Sequence, residues 1–273
     1  HEVIGLARSD QSAAVLELVG ATVHRGDLED LKSLSSGAAS ADAVIHTAFN
    51  HDFSQYVRNC ENDRKVIEAL GSALVGTEKP ILITSGTVLL KSGVLGREND
   101  LRAGSSKEIP RAASEEAAEQ LVFQGVRASI VRLSPSVHGE GDHGFVPALI
   151  AIAREKGVSA YIGDGANRWP AVHRLDVASL FRLALEQKPR SSVFHAAAEE
   201  GVATKDIASA IGKGLNLPVV SISADDAAGH FGWLAPFFSK DAPTSSEITR
   251  TQLGWKPKEA GLIQDLSLGR YFR

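Results

Sequence analysis

Short apolar runs alternate with amphipathic segments along the first half of the chain. The runs predict β-strands over residues 2–7, 21–24, 42–48, 79–85 and 128–133. The segments between them predict helices over residues 12–19, 28–34, about 53–74, and from Pro110 to Gly125. Because strands and helices alternate, the pattern predicts a parallel sheet with helices on both faces.

The pattern loosens after Pro135, where glycine- and histidine-rich turns and a mixed tail with several aromatic residues follow. We therefore predict an α/β protein of two domains. A dinucleotide-binding domain would comprise residues 1–135 with 172–197, and a smaller substrate-binding lobe would comprise residues 136–171 with 198–273. The aromatic residues of the tail would form the core of this lobe.

The first predicted strand, residues 2–7, fits the second strand of a doubly wound sheet better than the first. In a sheet of order 3-2-1-4-5-6 the first strand is central, and the glycine-rich turn after it holds the cofactor pyrophosphate. A sheet without that strand would leave two rows of backbone groups unpaired, each costing roughly 1–3 kcal/mol. The chain also contains no Met. We therefore expect a strand, turn and helix of about 25 residues to precede His1.

Composition narrows the class of protein. With 43% hydrophobic residues the chain can form a sizeable core, and its net charge of -4, from 29 basic and 33 acidic residues spread along it, offers no basic face for nucleic acid. Apolar stretches such as residues 146–153 fall far short of the ~20 residues that a membrane span needs. The single cysteine, Cys60, is expected to be a small buried residue rather than a nucleophile. We expect a cytoplasmic protein that acts on a small molecule, with homodimer formation left open.

Ligands of such sheets bind beyond the carboxyl ends of the strands, so the residues after each strand are the candidates. Arg8 and Ser9 follow the first predicted strand. A guanidinium suits the 2'-phosphate of NADP, whereas a carboxylate would suit the ribose of NAD, so we predict NADP(H) in preference to NAD(H). The alternative is an exposed arginine in an ordinary turn, and the nearby Asp10 weakens the prediction.

Two further strand ends are candidate cofactor contacts. Asp27 and Leu28 follow the second predicted strand, where Asp27 could accept a hydrogen bond from the adenine amino group or cap the next helix. Thr47, Ala48 and Phe49 end the third, where the small Ala48 would let a nucleotide pass close to the backbone. Phe49 could equally be a core residue.

Several short motifs occur in a suggestive order. They are Gly26-Asp-Leu28, Ile45-His-Thr-Ala48, Asn59, Ile83-Thr-Ser85, Arg132-Leu-Ser-Pro135, Val137-His-Gly139, Arg168-Trp-Pro-Ala-Val-His173 and Asp176. Together they resemble the atypical branch of the short-chain dehydrogenase/reductase superfamily, commonly labelled NAD-dependent epimerase/dehydratase. The resemblance implies a Rossmann-type sheet and hydride transfer to or from a carbonyl or alcohol.

The resemblance also implies roles for residues at the matching positions. Ser85 would hydrogen-bond the substrate oxygen, with Thr84 beside it on the substrate, and Asn59 would help to hold a proton-relay water. The nicotinamide would lie against residues 135–137, that is Pro135, Ser136 and Val137. From the residues alone, Ser85 could simply satisfy backbone groups at a strand end.

The chain departs from the family at the proton donor. The family uses a Tyr and, one helical turn later, a Lys, and this chain has no Tyr-x-x-x-Lys. The matching positions hold Arg111 and Glu115, which we expect to form a solvated ion pair worth a few tenths of a kcal/mol. His138 is the candidate replacement acid, because histidine titrates in the useful range.

The loop 137–144 also contains Glu140, Asp142 and His143 besides His138, but their spacing matches no established metal site, and we predict none. Arg168 could bind a substrate phosphate or carboxylate, and Trp169 could form an apolar wall or pack structurally beside Pro170. We expect an NAD(P)-dependent oxidoreductase. The alternatives are a non-catalytic NADP(H)-binding sensor and a nucleotide-sugar epimerase/dehydratase.

Overall fold

The computed structural model describes residues 1–188 and 192–273. These residues divide into two compact units. Unit 1 comprises residues 1–85, 104–130, 184–188 and 192, and unit 2 comprises residues 86–103, 131–183 and 193–273. The sequence pattern placed four segments in the first domain that belong to unit 2, namely residues 86–103, 131–135, 172–183 and 193–197. Residues 189–191, which that prediction included, lie outside the described residues.

The chain up to Leu133 has the predicted strand–helix alternation. Its strands are β1 (Ile4–Ala7), β2 (Thr22–Arg25), β3 (Val44–His46), β4 (Pro80–Gly86) and β5 (Arg127–Leu133). Its helices are α1 (Asp10–Leu18), α2 (Leu31–Ser40), α3 (Tyr56–Ser72) and α4 (Ala113–Phe123). β1 pairs with β2 and β3 pairs with β4, both in parallel. This arrangement confirms the predicted α/β class.

The sheet is split between β1 and β3, as predicted. β1 and β2 form a sheet of their own, and β3 begins a separate four-stranded sheet of order β3-β4-β5-β9. A cavity of about 330 Å³ is lined by residues of both β1 and β3. Ile4 and Ile45, apolar residues within these two strands, are 44% and 42% exposed. The two strands that flank this cavity are therefore not paired with each other.

Helix packing in unit 1 explains the buried part of α3. The helices α3 and α4 lie against each other, and Val66, Ile67 and Leu121 are fully or almost fully buried. Gly71 permits the close approach, since a Cβ there would lie 2.3 Å from a methyl carbon of Leu121. Val66 and Ile67 therefore lie on the core-facing side of α3.

The second half of the chain contains shorter elements. Its strands are β6 (Ser136–His138), β7 (Ser159–Ile162), β8 (Arg168–His173), β9 (Val193–Ala196), β10 (Glu199–Ala203) and β11 (Val219–Ile222). Its helices are α5 (Phe145–Lys156), α6 (Arg174–Gln187), α7 (Thr204–Leu215), α8 (Ala227–Phe231), α9 (Ala235–Phe238), α10 (Glu247–Leu253) and α11 (Leu262–Ser267). β8 lies between β6, to which it is parallel, and β10, to which it is antiparallel.

Two aromatic residues of the tail, Phe231 and Phe238, lie in the core of unit 2, as predicted, whereas Trp233 is 44% exposed. Phe231, Leu234 and Phe238 are buried in one cluster with Trp169 and Ile207. Within residues 1–188 and 192–273, no helix combines the length and the apolar character that a membrane crossing requires.

Candidate active site

Unit 1 contains a cavity of about 710 Å³ at the carboxyl ends of β1, β2 and β3. Its lining includes six of the predicted cofactor residues, namely Arg8, Asp27, Leu28, Thr47, Ala48 and Phe49. Four residues, Leu6, Leu28, Thr47 and Ala48, also line the cavity between β1 and β3. The two cavities are therefore adjacent, and the predicted nucleotide contacts from three strand ends meet at one place.

Arg8 is exposed, and no ion pair engages it among the residues that the structure describes. Asp10, which weakened the prediction, instead pairs with Arg25 at 2.8 Å. Ser9 caps α1: its hydroxyl accepts a hydrogen bond from the Ser12 backbone N–H at 3.2 Å. The guanidinium of Arg8 thus stays available for a ligand, whereas the Ser9 hydroxyl is used by the helix.

Asp27 shapes the turn after β2. Its Oδ1 accepts hydrogen bonds from the backbone N–H groups of Glu29 at 2.8 Å and Asp30 at 3.0 Å. The alternative that Asp27 caps the next helix is wrong, because α2 begins at Leu31 and Asp30 accepts from the backbone N–H of Ser33. Asp27 therefore holds the backbone of the cavity wall in place.

The third strand end carries an aromatic side chain. Phe49 lines the cavity, and the guanidinium of Arg111 lies over its ring, 4.4 Å from the ring centre. Such a contact is a cation–π interaction. Phe49 is therefore a wall of the cavity whose position Arg111 fixes, rather than a plain core residue.

Ser85, which ends the buried part of β4, meets a carboxylate. Its hydroxyl donates a 2.6 Å hydrogen bond to Oε1 of Glu115, in the first turn of α4. Ser85 is 4% exposed and Glu115 only 1%. The neighbouring hydroxyl of Thr84 is buried and has no hydrogen-bond partner among the described residues. This strand end thus places the Ser85 hydroxyl on a buried carboxylate, whereas Thr84, one residue earlier in the strand, belongs to the other face of the sheet.

The expected solvated ion pair between Arg111 and Glu115 is wrong. Arg111 instead pairs with Asp63 at 2.7 Å and donates to the carbonyl of Thr84 at 3.1 Å. Glu115 faces the strand end and is shielded from solvent. Arg111 lies in a 3-10 turn, residues 110–112, just before α4, and long-range partners on α3 and β4 orient the two side chains.

Asp63 is the centre of a buried charge network. His46 Nε2 lies 2.7 Å from its Oδ1, Arg111 binds its Oδ2, and the hydroxyl of Ser114 contacts the same oxygen. Burial alone raises the pKa of Asp63, but the hydrogen bond from His46 and the charge of Arg111 outweigh burial and hold that pKa below its ordinary value. The network fastens β3, α3 and the start of α4 together beside Ser85.

Asn59, predicted to hold a relay water, is buried on α3. Its amide donates to the backbone carbonyl of Asp52 at 2.9 Å, which fixes the loop after β3. Cys60 beside it is fully buried, and burial raises the pKa of its thiol to about 11. Burial likewise raises the pKa of the nearby Tyr56 phenol. Cys60 is thus a buried residue as predicted, and Tyr56 is poorly suited to replace the missing tyrosine acid.

The three predicted nicotinamide contacts belong to unit 2. Pro135 lies just before β6, which contains Ser136 and Val137. The Ser136 hydroxyl is buried without a hydrogen-bond partner in the described part of the chain. His138 is 0% exposed; its Nδ1 lies 3.0 Å from Asp265, and its Nε2 has no partner within residues 1–188 and 192–273.

The two substrate residues proposed on β8 are both engaged within unit 2. Arg168 forms a bidentate pair with Asp241, with both nitrogen–oxygen distances 2.9 Å. Trp169 is 0% exposed and donates to the carbonyl of Phe237. Core packing, one of the two roles considered for Trp169, is therefore its structural role, and Arg168 would have to release Asp241 to bind an anion.

Sequence reasoning missed His46, Asp63 and the orientation of Glu115. A signal was present on α3, where Asp63 interrupts the buried stripe formed by Asn59, Val66 and Ile67. A carboxylate in a core-facing position is costly unless it is paired. That position alone predicts a buried cationic partner, although it does not say which one.

A model of the NAD dependent epimerase/dehydratase family matches residues 1–197. The chain therefore belongs to this family. An uncharacterized protein of Schizosaccharomyces pombe is 53% identical over 273 residues, which make up 100% of this chain and 92% of that protein.

Two further relatives are named for a reaction. A 2-alkyl-3-oxoalkanoate reductase of Stenotrophomonas maltophilia is 30% identical over 198 residues, 68% of this chain and 58% of that protein. A solved double mutant of a Streptomyces venezuelae dTDP-glucose 4,6-dehydratase, with NAD and DAU bound, matches with a TM-score of 0.75 and 19% identity, covering 99% of this chain and 87% of that one. The fold is thus of the Rossmann type.

Proposed function

We propose that this protein is an NADP(H)-preferring oxidoreductase that exchanges hydride with a carbonyl or alcohol carbon. One observation carries the proposal: the hydroxyl of Ser85 is buried at a strand end and hydrogen-bonded to a carboxylate, in a unit whose neighbouring strand ends line a cavity of about 710 Å³. A hydroxyl so placed can orient a substrate oxygen. When bound, the nicotinamide supplies or receives the hydride.

The cavity residues fit a dinucleotide. Arg8, exposed and without an ion-pair partner among the described residues, would bind the 2'-phosphate. Asp27, on the wall formed by the turn after β2, would lie near the adenine, and the small Ala48 would allow the backbone to approach the nucleotide. Phe49 would close one side of the cavity.

At the substrate end, Ser85 orients the oxygen. Asn59 supports the site by fixing the loop at Asp52. The name of the Stenotrophomonas relative supports a ketone or related carbonyl compound as the substrate class. A nucleotide-sugar epimerase or dehydratase is the alternative favoured by the solved neighbour.

A non-catalytic NADP(H) sensor is the second candidate. It is favoured by Arg111, which stands in place of the tyrosine acid and is held by Asp63. A sensor would bind the dinucleotide without turning over any substrate, whereas an epimerase would retain its cofactor tightly and regenerate it in each cycle.

The test uses the full-length protein. NADPH and NADH binding are measured by calorimetry, and NADPH loss is followed with a panel of aldehydes, ketones and quinones. We expect tighter NADPH binding and turnover of at least one compound, with a loss of about 100-fold in kcat for Ser85→Ala. Ser129→Ala, a buried serine on β5, is the matched control. Binding without turnover across the panel would contradict the proposal and favour the sensor.

A further inference from the structure

We propose that Glu115 holds the proton of the reaction and exchanges it with the substrate through the hydroxyl of Ser85. This inference rests on the proposed function and adds to it the group that replaces the tyrosine–lysine pair. Because Glu115 acts through Ser85, it is a positioning residue that also stores the proton, and Ser85 is the catalytic residue that touches the substrate.

An ionised carboxylate only accepts hydrogen bonds, and this sets the direction of the bond between Ser85 and Glu115. Ser85 donates its proton to Oε1 of Glu115 at 2.6 Å, so the lone pairs of the Ser85 oxygen are left to accept from a substrate hydroxyl. A distance of 2.6 Å is typical of a hydroxyl bound to a charged oxygen. The pair is thus arranged for a proton to move from substrate to serine as the serine proton moves to the carboxylate.

The environment keeps this carboxylate in place. Glu115 is 1% exposed and lies in the first turn of α4. Arg111, one turn earlier, is directed to Asp63 and to the Thr84 carbonyl. The arginine therefore fastens α4 to β4 beside the pair while its own charge is matched by Asp63.

The step balances in the direction of alcohol oxidation. When bound, an oxidised nicotinamide would accept the hydrogen of the breaking substrate C–H bond together with both of its electrons. The substrate O–H proton moves to the Ser85 oxygen while the Ser85 proton moves to Glu115, and the carbon–oxygen double bond forms. Serine ends unchanged and Glu115 ends protonated. In carbonyl reduction the same transfers run backwards, and Glu115 regains a proton from water afterwards.

The next residue supplies a matched control. Glu116 is also in the first turn of α4, but it binds Arg64 at 2.7 Å and the backbone N–H of Ser106 at 2.7 Å. Glu115→Gln and Glu116→Gln each remove one carboxylate while leaving the side-chain size almost unchanged. Only the first should alter proton transfer.

The kinetic test compares both variants in the full-length protein. For Glu115→Gln we expect kcat to fall about 100-fold or more, with the Kd for NADPH and the KM changed less than about threefold. The pH profile of the remaining rate should lose one ionisation that the parent and Glu116→Gln retain. Since Ser85 and Glu115 act as a unit, the double variant Ser85→Ala/Glu115→Gln should be little slower than either single variant.

A second readout does not depend on turnover. The infrared carboxyl band that disappears in Glu115→Gln should shift in Ser85→Ala, because the hydrogen bond is removed, and should stay unchanged in Ser129→Ala. If Glu115→Gln fails to fold, Glu115→Asp serves in its place, since it retains a carboxylate and should keep the pH dependence at a reduced rate.

The outcomes separate the two proposals. If the parent turns over a substrate and Glu115→Gln has the same rate and pH profile, the proton transfer through Ser85 is overturned. The proposed oxidoreductase function would then still hold. If the carboxyl band of Glu115 did not shift in Ser85→Ala, the proposed proton transfer through Ser85 would also be overturned. Absence of turnover by the parent across the whole panel would overturn both.

Discussion

The hydroxyl of Ser85 and the carboxylate of Glu115 lie 2.6 Å apart, although 30 residues separate them in the chain. Glu115 stands where the resemblance to short-chain dehydrogenases places a lysine. A positive group that would assist a tyrosine is thus exchanged for a negative group that binds a serine. The charge at the position of the family's lysine is therefore reversed in this chain, and the proposed proton transfer rests on that reversal.

Arg8→Ala should weaken NADPH binding by about 10- to 100-fold and leave NADH binding nearly unchanged. The reason is that a charge-assisted hydrogen bond to the 2'-phosphate is worth about 1.5–3 kcal/mol and NADH has no such phosphate. Calorimetric titration with both dinucleotides measures the effect. Arg58→Ala, which removes an exposed arginine outside the cavity lining, is the control. An equal loss of affinity for NADPH and NADH in Arg8→Ala would contradict the assignment of Arg8 to the 2'-phosphate.

Asp63→Asn should destabilise the protein by about 3–5 kcal/mol at neutral pH, because it leaves the guanidinium of Arg111 and the ring of His46 without their shared carboxylate in a buried site. Chemical denaturation followed by circular dichroism measures the change. Asp52→Asn, at an exposed carboxylate of the same unit, should cost far less. A change below about 1 kcal/mol for Asp63→Asn would contradict the network.

Introducing the family's tyrosine and lysine at their matching positions should not increase activity. The double variant Arg111→Tyr/Glu115→Lys should be less stable than the parent and should not gain activity, because Asp63 loses its guanidinium partner and Ser85 loses its carboxylate. Thermal unfolding and NADPH turnover check the two effects. Activity above that of the parent would mean that the site still works by the family's tyrosine–lysine chemistry.

Glu116 should contribute stability that depends on pH. Burial alone raises the pKa of this carboxyl, but hydrogen bonds from Arg64 and Ser106 lower it to about 2 from an ordinary value of 4.5. Its pKa is depressed in the folded state, so the contribution is complete above about pH 4.5 and is lost as the pH falls toward about 2. At pH 7 the free energy of unfolding should be about 1 kcal/mol higher for the parent than for Glu116→Gln. This difference should disappear as the pH is lowered through the range. A difference that persists unchanged at low pH would contradict this assignment.

The strands and the cavity were predictable from the sequence for a simple physical reason. Buried parallel strands are apolar runs, and their carboxyl ends meet at one edge, so Arg8, Asp27 and Phe49 were expected near one another. Local signals also set the start of α4 near Pro110. These features depend on residues close together in the chain.

The proton-handling group was not predictable in the same way. Glu115 reaches Ser85 across 30 residues, and Arg111 reaches Asp63 across 48. At short range, Arg111 and Glu115 looked like an ordinary surface pair. Arg111 and Glu115 contact different residues because of how α4 packs against β4 and α3. The spacing of residues along a helix does not predict that packing.

Deuterium tracing tests whether hydride passes from the nicotinamide to a carbonyl carbon of the substrate. The full-length protein is supplied with NADPH that carries deuterium at the transferred position of the nicotinamide and with a carbonyl compound that it consumes, and the product is analysed by mass spectrometry. We expect an alcohol with one deuterium on its carbinol carbon, formed about 100-fold more slowly by Ser85→Ala. Product without deuterium, or formed equally fast by that variant, would contradict it.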